Sequence, residues 1–221
     1  MNKNFKCVIF DLDGTLIDSG PDLANSLNYV LKKQGFKIVN ESILGSLVGG
    51  GAEMMIRKGF DHIKVKIDEK KLKKYIFEFL EYYYNNCTNR TKLYEGVANT
   101  LKYLKKENIK VCLCTNKKQH LTNKIIKEFN LEYYFDFILG SSKELQMKPS
   151  VQMLEFCLKK LKINSSEQCV MIGDSENDIL PANKLNMTSI YVKYGYGKLS
   201  KSIVASYEVN KIKEIIDICN F

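Results

Sequence analysis

Short β-rich runs recur along the chain at 7–10, 110–114, 137–139, 169–172 and 189–192, and helical patterns lie between the later ones. This alternation constrains the fold more than any other feature. Compact runs of Val, Ile, Cys, Leu and Met suit strands buried on both faces, and such strands belong to parallel sheets covered by helices. The stripes between them are helical in spacing: Val97, Leu101 and Leu104, then Leu121, Ile125 and Phe129, then Val151, Leu154, Leu158 and Leu161. The sequence therefore predicts an α/β, Rossmann-like doubly wound parallel sheet. A last helix carrying Ile212, Ile215, Ile216 and Cys219 is expected to pack back on it.

The first interval breaks the rhythm. From Asp11 to Glu95 it is far longer than one crossover helix with its loops. It carries its own amphipathic patterns, one with Leu23, Leu27, Val30 and Leu31 on a face and another over 68–84. This predicts a small α-helical domain, 16–88, inserted into a core made of 1–15 and 89–221.

Composition narrows the class. No apolar run approaches the length of a membrane span, and the first run leads into Asp11 rather than into a small-residue cleavage site, so a cytoplasmic protein with no membrane partner is expected. The 7 cysteines show no CxxC pair, and Cys7, Cys112, Cys114 and Cys169 sit in strand-like runs as small hydrophobes, which fits a reducing compartment. The formal net charge is +9 and its densest run is "IKVKIDEKKLKKY" at 63–75. Leu72, Ile76, Phe79 and Tyr83 supply an apolar stripe beneath it, so the lysines read as the solvated face of a helix; a basic nucleic-acid-binding module is the non-enzymatic alternative. A basic surface also favours anionic substrates.

In open parallel sheets, sites form beyond the carboxyl ends of the strands. Asp11 and Asp13 follow the first strand, Thr115 and Asn116 the second, and Asp174 and Asp178 the fourth; Lys148, before Pro149, lies between the third and fourth. Carboxylates facing one another repel, so Asp11, Asp13 and Asp174 are tolerable together only around a cation or partly protonated. Hard oxygen donors suit Mg2+. Mg2+ and Lys148 would neutralise phosphate oxygens that otherwise repel an attacking carboxylate, which leaves one aspartate free to be the nucleophile. The other can hand a proton to the leaving oxygen and later take one from water. Gly14 lets the backbone turn close to the ligand. Singly, "DG" is a turn signal and "GDSEND" a helix-capping loop. Four such motifs in order, at strand ends and a neighbouring loop, point to a site.

These motifs carry a resemblance. "DLDGTL", "TN" at Thr115, "KP" at Lys148 and "GDSENDI" from Gly173 are similar to the four ordered motifs of the haloacid dehalogenase-like phosphatases, over nearly the whole chain. Within that group "DLDGTLIDSGPDLANSLNYVLKKQG", "VGGGAEMMIRKG", "CTNKK" and "YGYG" most resemble bacterial phosphoglycolate phosphatases. The resemblance implies Asp11 as nucleophile and metal ligand, and Asp13 as general acid/base that also offers its backbone carbonyl to Mg2+. It implies that Thr115 and Asn116 bind substrate, that Lys148 holds the nucleophile and the phosphate, that Asp174 ligates Mg2+, and that Asp178 fixes Lys148 or a metal-bound water. "KPSVQML" lacks the second proline common in the family, which alters a helix start and no chemistry.

The expected function is hydrolysis of a small phosphate monoester, 2-phosphoglycolate first, by a Mg2+-dependent monomer or homodimer with a helical cap domain. Another small phosphate such as a nucleotide or sugar phosphate is one alternative, and a hexose-phosphate mutase of the same fold is another, disfavoured by its cap loop. A hexose-phosphate mutase or phosphonatase would carry basic residues where this chain has Val48, Gly49, Gly50, Gly51 and Ala52, and a dehalogenase would not need Asp13. Gly49 and Gly50 are candidates to face the substrate with backbone N–H groups, or are simply a flexible turn. Arg57 and Lys58 can bind a substrate carboxylate or stand as solvated charges. His62 and His120 read as surface residues, Tyr82, Tyr83 and Tyr84 as packing for the insert, and Tyr194 to Gly197 as the rim of the crevice or a loop.

Overall fold

A computed structural model describes residues 5–43, 47–48 and 50–219. The described chain divides into two compact units, one formed by the segments up to Asp18 and from Leu93 onward, the other by Ser19–Lys92.

In the first unit, strands β1 (Cys7–Phe10), β4 (Lys110–Lys118), β5 (Phe137–Ser141), β6 (Cys169–Gly173), β7 (Thr188–Val192) and β8 (Tyr207–Val209) form one sheet in the order β5-β4-β1-β6-β7-β8. Every pair is parallel. The chain steps outward from β1 through β4 to β5, returns to the other side of β1, and steps outward again through β6, β7 and β8. This is the doubly wound arrangement that the alternating runs predict. Phe10 lies opposite Leu113 on one side and Ile172 on the other, so the carboxyl ends of β1 and β6 finish side by side while β4 runs on past them. Two-residue strands β2 (Ile17–Asp18) and β3 (Lys92–Leu93) mark where the chain leaves and re-enters this unit.

Helices α4 (Val97–Lys106), α5 (Gln119–Glu128), α6 (Gln152–Leu161), α7 (Glu176–Lys184) and α8 (Glu214–Cys219) alternate with the strands. The predicted stripe Val97, Leu101 and Leu104 is buried on α4, and so are Leu121 and Ile125 on α5 and Ile215 and Cys219 on α8. Of the four predicted for α6 only Leu154 and Leu161 are buried: Met153 and Cys157 face the core, and Val151 and Leu158 are part-buried. All 7 cysteines are free and buried. Five of them, Cys7, Cys112, Cys114, Cys157 and Cys169, pack with Ile9, Met153 and Met171 in the core, where a thiol acts as a small hydrophobe.

Two core features depart from the expectation. β4 continues four residues past Cys114, with a register shift against β5 between Cys114 and Lys118 that carries Thr115, Asn116 and Lys117 beyond the regular ladder. β8 is an edge strand with exposed Tyr207 and Glu208, and so lacks the apolar run that marks the others.

The second unit is helical: α1 (Gly20–Lys33), α2 (Gly51–His62) and α3 (Glu69–Asn86). Leu27, Leu31, Ile56, Phe60, Leu72, Phe79 and Tyr83 form its buried face. Phe60 stacks on Tyr75 with centroids 5.2 Å apart, and Tyr29 stacks on Tyr82 at 4.2 Å. Tyr82 and Tyr83 thus pack the insert, whereas Tyr84 is exposed. The basic run 63–75 is helical only in its second half. α2 ends at His62, Lys64 takes a positive φ of 60°, and α3 starts after Asp68, whose carboxylate caps it by accepting from Lys71 N at 2.8 Å. No helix of the described residues is long and apolar enough to cross a membrane.

Candidate active site

Asp11 is the first residue past β1, and its backbone N–H donates to Ile172 O at 2.9 Å, which sets its position between the ends of β1 and β6. Lys148 reaches it from the connection after β5. The Lys148 ammonium donates to Asp11 Oδ1 at 2.9 Å, to Asp178 Oδ1 at 2.6 Å and to the Cys114 carbonyl at 2.6 Å. Three acceptors match its three protons. Burial alone would favour the neutral amine, but Asp11 and Asp178 more than offset that and raise the Lys148 pKa above the ordinary lysine value.

Asn116 holds the backbone of the same lysine. Its Nδ2 donates to Lys148 O at 2.8 Å and its Oδ1 accepts from Lys148 N at 2.9 Å. The side chain expected to touch substrate is thus engaged in positioning Lys148. Thr115 is buried, and its Oγ1 accepts from Lys117 N at 3.2 Å.

Asp174 and Asp178 come from the turn into α7. Asp178 closes a capping box: its Oδ2 accepts from Ser175 N at 3.1 Å and from Ser175 Oγ at 2.9 Å. Asp174 Oδ2 accepts from the backbone N–H of Tyr196 at 2.7 Å and of Gly197 at 3.1 Å. Gly14, at φ +82°, passes so close that a Cβ there would lie 2.1 Å from Asp174 Oδ2. The close turn expected of Gly14 is therefore a requirement of the carboxylate beside it.

Asp11, Asp174 and Asp178 are all buried, and each offers a carboxylate oxygen within 4.8 Å of the others. Burial raises the Asp11 pKa to about 6, with Asp178 and Asp13 adding to the shift and Lys148 opposing it. Burial, then Asp178 and Asp11, push Asp174 up to about 8 against the two backbone donors. One ammonium does not balance three carboxylates. An oxygen-only donor set that resists ionisation fits a hard divalent cation, whose charge would relieve it. The carboxylate of Asp13 is not one of the three. Its Oδ2 lies 2.9 Å from the Lys117 Nζ. Sequence reasoning passed over Lys117; the signal available was a second cation directly after Thr115 and Asn116, in a crevice already holding an acid that needs a partner.

The remaining candidates lie in the helical unit. Gly49 falls outside the described residues. Gly50 precedes α2 at φ 89° and is exposed. Arg57 is tied to its own unit, with Nε donating to Glu53 Oε1 at 3.0 Å and Nη2 to Glu69 Oε1 at 2.9 Å.

Residues 8–192 match the profile of a family described as haloacid dehalogenase-like hydrolase. A phosphoglycolate phosphatase of Colwellia psychrerythraea is 34% identical over 192 residues, covering 86% of this chain and 84% of the relative. One of Chromobacterium violaceum is 31% identical over 217 residues, covering 98% and 97%. Among solved structures, a "predicted phosphoglycolate phosphatase" of Haemophilus somnus 129PT superposes with a TM-score of 0.89 at 27% identity, covering 97% of this chain and 98% of the other. A "predicted phosphatase" of Clostridium acetobutylicum gives 0.83 at 30% identity, covering 98% and 99%.

Proposed function

The chain belongs to the haloacid dehalogenase-like hydrolases, and from that premise we propose that it is a Mg2+-dependent phosphatase that hydrolyses 2-phosphoglycolate through a phosphorylated Asp11. The observation that carries the reading is the ammonium of Lys148 bridging Asp11 and Asp178 at the end of the central strand, with Asp174 beside them. The named relatives of similar length support the choice of substrate.

Asp11 and Asp174 would hold the ion with their carboxylates, and Asp13 with its backbone carbonyl. Bound there, Mg2+ supplies positive charge to the phosphate oxygens and the carboxylates. Asp11 attacks phosphorus while Lys148 holds one of its oxygens and offsets negative charge on the phosphoryl group. Asp13, steered by Lys117, gives a proton to the oxygen of the departing alcohol and then takes one from the water that cleaves the aspartyl-phosphate. Thr115 binds a phosphoryl oxygen. Asn116 keeps Lys148 in place through its backbone, and Asp178 does so through its side chain.

Phosphate release from phosphoglycolate, sugar phosphates and nucleotides, measured with Mg2+ and with excess EDTA, tests the reading. Release is expected only with the metal and fastest from phosphoglycolate. Full turnover in EDTA, or no release from any compound with Mg2+, would defeat it.

A further inference from the structure

We propose that the loop 194–197 is a strap that sets metal selectivity, by leaving Asp174 one oxygen to offer a cation. The proposal rests on the reading of Asp11 and Asp174 as metal ligands. Oδ2 of Asp174 already accepts two backbone N–H bonds from the strap, at 2.7 and 3.1 Å. Among the described residues, no donor reaches its Oδ1. Asp11 is in the same condition: Lys148 takes Oδ1, and no donor among the described residues reaches Oδ2. Asp178 has an ammonium on Oδ1 and two donors on Oδ2, so it is the least available of the three.

A site with one open oxygen per carboxylate suits a small octahedral ion that completes its shell with water. Ca2+ takes more ligands at longer distances and commonly uses both oxygens of a carboxylate. The strap therefore works against Ca2+ and costs Mg2+ little.

The strap has firm anchors. Tyr196 Oη donates to Asp18 Oδ1 at 2.5 Å, Tyr194 Oη to Thr15 O at 2.8 Å, and Tyr191 Oη to Gly197 O at 2.9 Å. The Tyr194 ring also lies 4.6 Å from that of Tyr94. Gly195 has no room for a side chain: a Cβ would sit 2.3 Å from Asp174 Cβ and 2.4 Å from Gly14 O. Tyr196 and Gly195 are thus positioning residues that act through Asp174.

The test is the ratio of dissociation constants for Ca2+ and Mg2+, measured by titration calorimetry on metal-stripped full-length protein. Gly195→Ala pushes the strap off Asp174, and Tyr196→Phe removes one anchor while leaving both amides in place. Outer-shell partners typically carry 10–100-fold in metal affinity, so Gly195→Ala is expected to shift the ratio toward Ca2+ by ~10-fold and Tyr196→Phe by a few fold. If Gly195→Ala does not fold, Tyr196→Phe and Asp18→Asn carry the test. An unchanged ratio in folded variants overturns the strap, including the case where both affinities fall together. A wild-type protein that binds neither ion overturns the metal-site reading itself, a result distinct from an unmoved ratio.

Discussion

Asp22 in the helical unit and Asp174 in the sheet unit are both nearly sealed from solvent, at 1% and 5% exposure, and their surroundings differ in kind. Asp22 is met by three uncharged donors, and the charge of the Arg90 guanidinium also bears on it. Its oxygens accept from Arg90 N at 3.0 and 2.9 Å, from Thr91 N at 2.8 Å and from Thr91 Oγ1 at 2.8 Å. Asp174 has two backbone donors on one oxygen and two further carboxylates as neighbours. A buried carboxylate is costly unless hydrogen bonds or opposite charge compensate it. The insert compensates its aspartate locally, with donors from the returning chain, so that residue stitches the start of α1 to that chain. The sheet unit leaves its cluster short of positive charge, and such imbalance collects at functional sites.

The sharpest attempt to break this contrast is Asp11→Asn. If Asp11 were structural in the way Asp22 is, its loss would cost stability. We expect the reverse: a melting temperature equal to or above wild type, because one charge leaves a repulsive cluster, with turnover reduced at least ~10^3-fold because a carboxamide is a poor nucleophile. Melting curves and phosphate release on the same preparation decide it, together with rapid-quench trapping of phosphoenzyme, which the variant should not form.

Asp22→Ala is the mirror experiment. It strands two backbone N–H groups and the Thr91 hydroxyl in a buried place, and should cost ~2–4 kcal/mol in urea unfolding. Asp22→Asn retains one acceptor oxygen and should cost less. A loss below ~0.5 kcal/mol for the alanine variant would mean that water reaches those donors and that the two aspartates are less different than their contacts indicate.

Titration separates the regions a third way. An unfolded aspartate titrates near 3.9, whereas burial raises Asp11 to about 6 and Asp174 to about 8. Between those values the folded, metal-free protein keeps protons that the unfolded chain has released. Its stability is therefore greatest below about pH 4 as far as these groups are concerned, and is lost as pH rises through 6 and 8, by up to ~1.4 kcal/mol per group per pH unit. Bound Mg2+ takes the place of those protons, so the melting-temperature gain on adding Mg2+ should grow from pH 5.5 to pH 8.5. A gain independent of pH would show that the cluster is already ionised without the metal.

How much of this was legible in the sequence follows from how local each signal is. The five apolar runs and the polar residues that end them are written in consecutive positions, so the parallel sheet and the meeting of Asp11, Lys148, Asp174 and Asp178 at its carboxyl ends could be read directly. β8 could not, because an edge strand with exposed Tyr207 and Glu208 carries no apolar run. The Asn116 clamp on Lys148 spans 32 residues, and the strap on Asp174 uses backbone N–H groups that leave no mark on residue type. The pattern over 68–84 marks the start of α3 to within a residue, whereas the basic run 63–75, taken as one helix face, is interrupted by the positive φ of Lys64, a backbone turn that residue type does not announce.

The smallest effect belongs to the residues that look most conspicuous in composition. Lys70, Lys71, Lys73 and Lys74 are exposed on the first turns of α3, and the one ion pair they form among the described residues, Lys71 with Asp68 at 3.8 Å, is exposed on both sides. Exposed pairs of this kind contribute ~0–1 kcal/mol. Replacing all four by glutamate also puts negative charge near a helix N-terminus, where the macrodipole favours it by ~0.3–1 kcal/mol per charge, so the losses and gains should nearly cancel. Unfolding free energy is expected to stay within ~1 kcal/mol of wild type and turnover to be nearly unchanged, since the buried cluster, not this surface, carries the chemistry. Binding of DNA or RNA at physiological salt, lost on the fourfold reversal, would instead make the helical unit a second functional region and end the contrast between a structural insert and a reactive core.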